Sequence, residues 1–433
     1  MNALELLVVV CVAGAFVPMA AIGATLLVGS PLKERRCQRS ANAQALLLLL
    51  TASAMVVAHL AEGSGAHEIR WPSLLEFHGY EWTPVFLVDR LSLAYLMLSA
   101  LVYPVVVRFS IPAFHREPGA ARYWFLVTLL AFGLVLVSLS GNIDVLYVGW
   151  ELVGLCSVSL IAFFRHNPRS AENSLRALIY YRVCDAGLLA SIVWIHHAFP
   201  SVDFLHFHDD SREASAATIG LLLLFSSLAK SAQLPMSPWL HRAMEGPATS
   251  SAIFYGALSV HLGPLLLLRT APLWLEFPLV RLACIGVGAS TAVYATLVGR
   301  ARSDAKTAIA YATMAQLGVI YVEIGLGLHT LALVHLWAHA GLRTWQFLRS
   351  SSLIQDFQAN PLVGADVRLR ARSGMWARFV PRAIERRVYF AALRLFWLDA
   401  LQWRAVARPL LGVFGAAAAF EERVLGPKRR IGG

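Results

Sequence analysis

Charged residues are scarce in this sequence. They make up 15% of its 433 residues, whereas hydrophobic residues make up 58%. A soluble globular domain carries roughly 25% charged residues. Apolar runs of 18 residues or more recur along the chain, and each is long enough to cross a hydrocarbon layer of about 30 Å. The shortage of charge therefore excludes an ordinary soluble fold and predicts an all-α polytopic membrane protein.

Cysteine is also sparse, and none of the five cysteines has the spacing of a metal or redox motif. Most of them lie inside apolar segments, where cysteine acts as a small core residue. The sequence also lacks a nucleotide-binding loop, a dinucleotide fingerprint, a nucleophile elbow and a zinc motif. We therefore expect the chain not to be an enzyme itself and to hold no metal or cofactor of its own.

Apolar segments predict about eleven membrane-spanning helices. They lie near residues 5–29, 42–61, 91–112, 122–140, 143–164, 176–198, 216–240, 247–269, 277–299, 306–325 and 328–349. The connections after odd-numbered segments are basic, whereas those after even-numbered segments are acidic or short. The positive-inside rule then places the N-terminus outside and everything after Arg349 in the cytoplasm. The excess of 37 Lys and Arg over 26 Asp and Glu thus indicates orientation and a basic tail, with no nucleic-acid partner.

Two stretches differ from the spanning segments. Between the second and third segments, residues 62–89 interleave Trp71, Tyr80 and Trp82 with polar groups, which favours an external hairpin or an interfacial segment. After Arg349 a linker is expected, followed by two amphipathic helices near residues 384–420 at the inner membrane surface. We divide the chain into N-terminal helices and hairpin (1–84), a core (85–350) and a cytoplasmic linker and tail (351–433).

The seventh segment contains a lone lysine. Only 14 mostly apolar residues precede Lys230, about 21 Å of helix, so the helix is expected to continue past it. Pro235 and Pro238 then break the helix and free backbone carbonyls at membrane depth. A buried charge beside a broken helix is typical of an ion or proton path. A lysine that snorkels to the headgroups is the alternative.

Glu151 lies in the fifth segment with no neighbour in its own helix that neutralises it. Such a carboxylate needs a partner from another helix or a proton. Lys230 is the nearest residue of opposite charge at comparable depth. Separating the two charges would release or capture a proton, which predicts a switch. A static structural ion pair is the other interpretation.

The eleventh segment carries His335, His339 and Arg343 at intervals of four, so they share one helix face. Histidine titrates near physiological pH, which makes this stripe a candidate proton relay. Core histidines and, least favoured, a metal site are the alternatives, because HxxxH alone supplies too few ligands.

Four further residues are candidates. His261 lies in the eighth segment before Pro264, where relay and packing roles are equally favoured. Asp185 lies one turn from Arg182 and indicates a local pair. Lys306 is expected near the inner surface in a structural role. Glu323 lies near the outer end of the tenth segment, where facing water is favoured over marking an exit. These last three, Asp185, Lys306 and Glu323, are secondary candidates for the ion path.

Several runs, in order, resemble the antiporter-like membrane subunits of respiratory complex I and of multisubunit sodium/proton antiporters: GWELVGLCS, NSLRALIYYRVCDAGLL, AKSAQLPMSPWLHRAMEGP, DAKTAIAYATMAQLG and HLWAHAGLR. The resemblance covers roughly residues 85–350. It implies an antiporter-like core in which the family's coupled glutamate and lysine fall on Glu151 and Lys230. Arg343 stands where that family has a lysine, Tyr255 where it has a histidine, and the broken twelfth helix is missing.

The runs MEGPATSSAIFYGALSVHLG, VIYVEIGLGLHTLALVHLWAHAGLRTWQFLRSSSLI and WLDALQWRAVARPLLGVFGAAAAFEERVLG are similar to the membrane subunit of the DAB-type inorganic carbon accumulation complex. That resemblance implies a bacterial inner-membrane protein. It also implies a large cytoplasmic partner related to β-carbonic anhydrases, which holds the zinc. Flow of H⁺ or Na⁺ would drive one-way hydration of carbon dioxide to bicarbonate. A cation/proton antiporter or complex I-type subunit, and an inert anchor for a soluble enzyme, remain alternatives.

Overall fold

A computed structural model describes residues 2–77, 80–164, 166–208, 215–359 and 382–425. The chain divides into two units, Met1–Ala371 and Arg372–Gly433, each described here by itself.

The first unit is helical apart from one nested hairpin. Its helices are α1 Ala3–Leu27, α2 Glu34–Ala61, α3 Arg90–Ala113, α4 Ala120–Leu139, α5 Ile143–Ile161, α6 Pro168–Ala198, α7 Ser215–Lys230, α8 Trp239–Arg242, α9 Ala248–Arg269, α10 Ala271–Trp274, α11 Pro278–Arg300, α12 Ala305–Gly325 and α13 His329–Ala359. Short 3₁₀ turns lie at Phe204–His208 and Ala243–Glu245.

Nine helices among the described residues are long and apolar enough to cross a membrane, namely α1 to α6, α9, α11 and α12. They confirm the polytopic helical class. The two other expected spans correspond to α7, which has only 16 residues, and to α13, and neither is in that set. The total of eleven crossings and the external N-terminus therefore stay predictions.

The stretch between α2 and α3 folds as the expected hairpin. Strand β1 (His67–Arg70) pairs with β4 (Val85–Val88), and β2 (Leu75–Phe77) pairs with β3 (Tyr80–Trp82), both antiparallel. All of β4 is buried, and the Gly141 N–H donates to the Val85 carbonyl at 2.7 Å. The hairpin is thereby attached to the turn between α4 and α5.

Local sequence explains where α5 begins and how closely it packs. The Asn142 side chain accepts a hydrogen bond from the Val145 N–H, which satisfies one of the unpaired amides of the first turn. Gly133 in α4 and Gly149 in α5 face each other so closely that a Cβ on Gly149 would lie 2.8 Å from the Gly133 carbonyl oxygen. Small residues at a helix crossing allow this backbone approach.

Helix α7 ends at Lys230, so the expectation that it continues past this lysine is wrong. Ala232 adopts a left-handed φ of 50°, and the chain stays irregular until α8. The Trp239 indole donates to the Ala229 carbonyl at 2.9 Å, and the Tyr321 hydroxyl donates to the Ser227 carbonyl at 3.1 Å. Both carbonyls also accept backbone N–H groups, from Ser231 and Ala232, so these side chains add tertiary hydrogen bonds at the end of the helix.

Helix α9 is also irregular, with a π-helical stretch at Ala252–Ala257 and a 3₁₀ turn at Ser259–His261. The disruption lies before Pro264, which the sequence identified as the breaker, and Pro264 itself sits in the first turn of a regular stretch. Because proline has no N–H, the Val260 carbonyl loses its helical partner. The Ser231 hydroxyl donates to this carbonyl at 2.7 Å, so the two irregular segments meet.

The second unit contains α14 Arg382–Leu393, α15 Leu398–Gln402 and α16 Arg408–Leu425, with a π-helical turn at Trp403–Ala407. The first of the two expected tail helices is interrupted at Leu395–Trp397, where φ is positive. Helix α13 runs on to Ala359, so residues 351–359 are helical where a linker was expected. Residues 360–381 of that linker lie outside the described residues. The boundaries at 84/85 and 350/351 stay predictions.

We expect Arg269→Met to destabilise the first unit by about 3 kcal/mol, because breaking a buried ion pair strands one charge. Arg269 donates to both Asp89 oxygens, at 2.6 and 3.2 Å, and to the Ser92 hydroxyl at 2.7 Å. Unfolding of the purified protein in detergent measures the effect. The neighbouring exposed Arg90→Met is the control, and an equal loss there would contradict the assignment.

This contribution is also expected to depend on pH. Burial acts to raise the pKa of Asp89, but Arg269 and hydrogen bonds from Ser92 outweigh it, so the net pKa is lowered. A lowered folded-state pKa stabilises the protein above the unfolded pKa of about 3.9, and the gain is lost as the pH falls through the folded value. The difference between wild type and Arg269→Met should therefore shrink in acid.

Candidate functional site

Three consecutive helices bring four charged side chains together. Glu151 comes from α5, Arg182 and Asp185 come from α6, and Lys230 is the last residue of α7. Arg182 contacts Glu151 directly and lies 2.9 Å from Asp185 Oδ2, and Lys230 Nζ lies 3.9 Å from the same oxygen. Two carboxylates and two cations balance formally. We call these residues the charge tetrad.

The tetrad corrects the sequence-based pairing. Lys230 was expected to neutralise Glu151, but Arg182 occupies that place and links Glu151 to Asp185. The local Arg182–Asp185 pair is confirmed. Sequence reasoning missed the bond between Arg182 and Glu151, although both residues fall in runs that it singled out. Arg182 therefore belongs to the site, and the candidate path from Glu151 to Lys230 passes through α6.

The tetrad has a partly exposed pair, Arg182 and Glu151, and a buried pair, Asp185 and Lys230. The exposed side-chain fraction is 46% for Arg182, 23% for Glu151, 4% for Asp185 and 0% for Lys230. A fully buried ammonium needs compensating partners, because its transfer from water is costly. The tetrad thus runs from an edge of the helices to the interior.

The surroundings of Lys230 supply those partners. Its Nζ donates to the Trp150 carbonyl at 3.2 Å and lies 4.5 Å from the centre of the Tyr181 ring and 5.3 Å from that of Trp150. Aromatic faces attract cations. The Trp150 indole donates to Asp185 Oδ1 at 2.6 Å, so one tryptophan holds both members of the inner pair. A Cβ on Gly154 would lie 2.1 Å from Nζ, so this glycine leaves the space that the ammonium fills.

A second polar group lies between α9 and α13. His261 Nε2 is 2.9 Å from His339 Nδ1, and His261 Nδ1 bonds the Ala257 carbonyl. Arg343 Nε donates to His339 Nε2 at 3.4 Å, and its Nη1 donates to Gln346 Oε1 at 2.5 Å. Both histidines are buried. The irregular stretch of α9 places His261 against α13.

The expected stripe on the eleventh helix is therefore divided. His339 and Arg343 are bonded, but the ring centres of His335 and His339 are 6.4 Å apart and His339 bonds His261 instead. His335 has its own partners on α12, Glu323 Oε1 and Gln316 Oε1, both at 3.0 Å. The Glu323 side chain is only 12% exposed, so the expectation that it faces water is wrong.

A pair of hydroxyl groups joins α5, which carries Glu151, to α9, which carries His261. Ser157 Oγ on α5 is 3.2 Å from Ser259 Oγ on α9, two residues before His261. Lys306 lies apart from both groups, and its Nζ donates weakly to the Met244 carbonyl at 3.5 Å. The structure thus brings together most of the candidates in two groups and leaves Lys306 outside them.

One group of metal-ligating side chains occurs among the described residues. Glu68, Asp203 and His206 have ligand atoms within 4.8 Å of one another. Arg70 forms ion pairs with both carboxylates, so a cation already neutralises one of their two charges.

The interrupted helices and their buried charges define a polytopic helical membrane protein with an antiporter-like core. The chain belongs to the NADH:quinone oxidoreductase/Mrp antiporter transmembrane family, whose sequence model matches residues 140–362. It is 34% identical over 272 residues to NADH-quinone oxidoreductase subunit L of Mycobacterium tuberculosis, covering 62% of this chain and 43% of that protein. It is 31% identical over 322 residues to NAD(P)H-quinone oxidoreductase chain 5 of Synechocystis sp., covering 71% and 46%.

A solved structure shows the same core fold. A chain of the Mrp complex from Dietzia sp. superposes with a TM-score of 0.66 at 25% identity, covering 80% of this chain and 37% of that chain. A chain of the archaeal membrane-bound sulfane sulfur reductase superposes with a TM-score of 0.65 at 18% identity, a likeness of fold alone. The present chain spans less than half of the length of the two curated relatives described above.

Proposed function

We propose that the chain is a cation-conducting, energy-coupling subunit of a multisubunit membrane complex. The observation that carries this proposal is the fully buried Lys230 at the end of an interrupted helix, 3.9 Å from Asp185 and connected through Arg182 to the partly exposed Glu151. Ionisable groups inside a membrane protein mark ion or proton paths. The relatives' membership of respiratory and Mrp complexes supports a heteromeric assembly.

The energy available to such a subunit is sufficient for useful coupling. Moving one elementary charge through 100 mV supplies about 2.3 kcal/mol. At 25 °C this shifts a two-state equilibrium about fiftyfold. One cation crossing the tetrad and the histidine pair can therefore bias the conformation of a bound partner.

We further propose that the partner is a large cytoplasmic zinc protein related to β-carbonic anhydrases, and that the complex accumulates bicarbonate. The similarity of α9, α12, α13 and the tail to the DAB-type membrane subunit supports this assignment. The tail, in the second unit, is the proposed docking region, where Ile384, Tyr389 and Phe390 expose about half of their surface. In this proposal the zinc chemistry belongs to the partner. The complex lies in a bacterial inner membrane, with the N-terminus outside and the tail in the cytoplasm.

Glu151→Gln is expected to reduce bicarbonate uptake at least about tenfold, because an amide cannot carry the charge that separates from Arg182. Uncoupler-sensitive uptake is measured in cells that lack their own carbonic anhydrase and produce this chain with its partner. The exposed loop variant Glu276→Gln is the control. Full uptake by Glu151→Gln would contradict a path through the tetrad.

Co-purification separates the proposed assembly from its alternatives. The affinity-tagged chain is expected to bring down a cytoplasmic protein, and zinc is expected in that band. A purified chain that exchanges cations in proteoliposomes without a zinc partner would instead favour an antiporter or complex I-type subunit, as the relatives' names suggest. Full uptake by a variant lacking all four tetrad charges would select an inert anchor.

A further inference from the structure

The irregular stretch of α9 determines the proton position on His261. The His261 backbone N–H donates to the Leu258 carbonyl at 3.1 Å, in a 3₁₀ turn, instead of to Ala257 four residues back. The Ala257 carbonyl bonds the His261 ring at Nδ1. Because a carbonyl oxygen only accepts, the proton of His261 must lie on Nδ1.

Arg343 determines the proton position on His339. A guanidinium group has five N–H donors and no acceptor, and it stays protonated in proteins. Since Arg343 Nε donates to His339 Nε2 at 3.4 Å, Nε2 of this histidine must be unprotonated. A neutral His339 therefore carries its proton on Nδ1.

The two histidines then match. His339 Nδ1–H points to His261 Nε2, which is an unprotonated acceptor at 2.9 Å. A proton added to His261 Nε2 would require an acceptor at His339 Nδ1 and would move that histidine's proton to Nε2. The His339 Nε2–H would then face the Arg343 N–H, and two donors cannot form a hydrogen bond. The pair in this geometry accommodates no additional proton while Arg343 stays in place.

We propose that Arg343 and the Ala257 carbonyl hold His261 and His339 as two neutral Nδ1–H tautomers, and that a proton occupies the pair only when Arg343 moves off His339 Nε2. Arg343 is then a positioning residue and carries no proton itself. This inference deepens the proposed cation conduction and rests on it. It supplies a gate, because a proton enters the pair only after Arg343 has been displaced.

The neighbouring ionisable groups leave this arrangement intact. Among the described residues, His335 is the further titratable group that acts on the pair, and it is engaged by Glu323 and Gln316 of α12. Lys230 lies with the tetrad, where its partners are Asp185 and the Trp150 carbonyl. The position of the proton on each ring therefore follows from the contact between the two histidines and from their bonds to the Ala257 carbonyl and Arg343.

Nitrogen NMR of the full chain in lipid nanodiscs, with ¹⁵N-labelled histidine, tests the proposal because ring-nitrogen shifts distinguish the tautomers. Signals are assigned by loss in His261→Gln and His339→Gln. At neutral pH we expect both residues to be neutral with Nδ1 protonated. In Arg343→Gln, the side-chain amide oxygen offers an acceptor to His339 Nε2, so on acidification His339 should gain a second proton there while its Nδ1–H still donates to His261. Arg281→Gln, a distant arginine on α11, should leave both signals unchanged.

An Nε2–H tautomer at either histidine in the wild type would overturn the proposal, as would a His339 that protonates over the same pH range in Arg343→Gln as in the wild type. Chromatographic elution and thermal unfolding confirm that each variant is folded before its spectrum is compared. The test requires no transport, so it fails separately from the proposed function. If the tautomers are as expected but Lys230→Ala retains full uptake, the proposed conduction through the tetrad is wrong. The proposed tautomers of His261 and His339 would still hold.

Discussion

Lys230→Ala is expected to reduce uncoupler-sensitive bicarbonate uptake to the level of cells without the protein, because it removes the innermost charge of the proposed path. It should also destabilise the fold by about 3–5 kcal/mol, since Asp185, only 4% exposed, loses its buried counter-charge. Uptake in cells lacking carbonic anhydrase and thermal unfolding in detergent measure the two effects separately.

A double variant distinguishes a lost charge from a lost fold. Lys230→Met with Asp185→Asn removes both charges while keeping side chains of similar size. Replacing a buried ion pair by neutral groups is often close to neutral for stability. We therefore expect unfolding near that of the wild type but still no uptake. A double variant with wild-type uptake would show that the inner pair only stabilises the protein.

Gly154→Ala is expected to reduce uptake at least about tenfold without lowering stability. The new Cβ would lie 2.1 Å from Lys230 Nζ and 3.8 Å from the Tyr181 ring, so the ammonium must leave its place beside the Trp150 carbonyl. Displacing a functional group by about 1 Å can cost about a hundredfold in rate. Alanine in place of glycine otherwise favours a helix by about 1 kcal/mol.

The matched control for Gly154→Ala is Gly286→Ala in α11. A Cβ on Gly286 would meet no atom within 4 Å, so it should bring the same gain in helix propensity with unchanged uptake. Uptake and unfolding temperature are compared for both variants. Equal uptake in the two would mean that the position of the ammonium beside Gly154 is unimportant for function.

Hydropathy alone predicted most of the helices. The expected first to sixth and eighth to tenth segments overlap helices that are long and apolar enough to span a membrane. The aromatic, polar stretch of residues 62–89 likewise predicted the hairpin that β1 and β4 form. These features follow from composition and spacing within a few turns of chain, which is the range over which hydrophobic runs and turn residues act.

The sequence predicted which helices are interrupted, but not the residue at which each regular helix ends. Pro235 and Pro238 indicated the break after α7, yet the regular helix already ends at Lys230. In α9 the irregular stretch precedes Pro264. The reason lies in tertiary hydrogen bonds: Trp239 and Tyr321 donate to carbonyls at the end of α7, and a serine from another segment pairs the Val260 carbonyl that Pro264 leaves free. Such bonds join residues far apart in sequence, so no local pattern contains them.

By itself, the sequence determined the class of protein and the residue types available for a path. It determined that a lysine and a glutamate would lie at membrane depth and that histidines would share a face of the eleventh helix. Tertiary structure decided which charges meet: Arg182 binds Glu151 across 31 positions, and His339 binds His261 across 78. The rotation and crossing of packed helices decide such pairs, and helix periodicity specifies a face without specifying its neighbour.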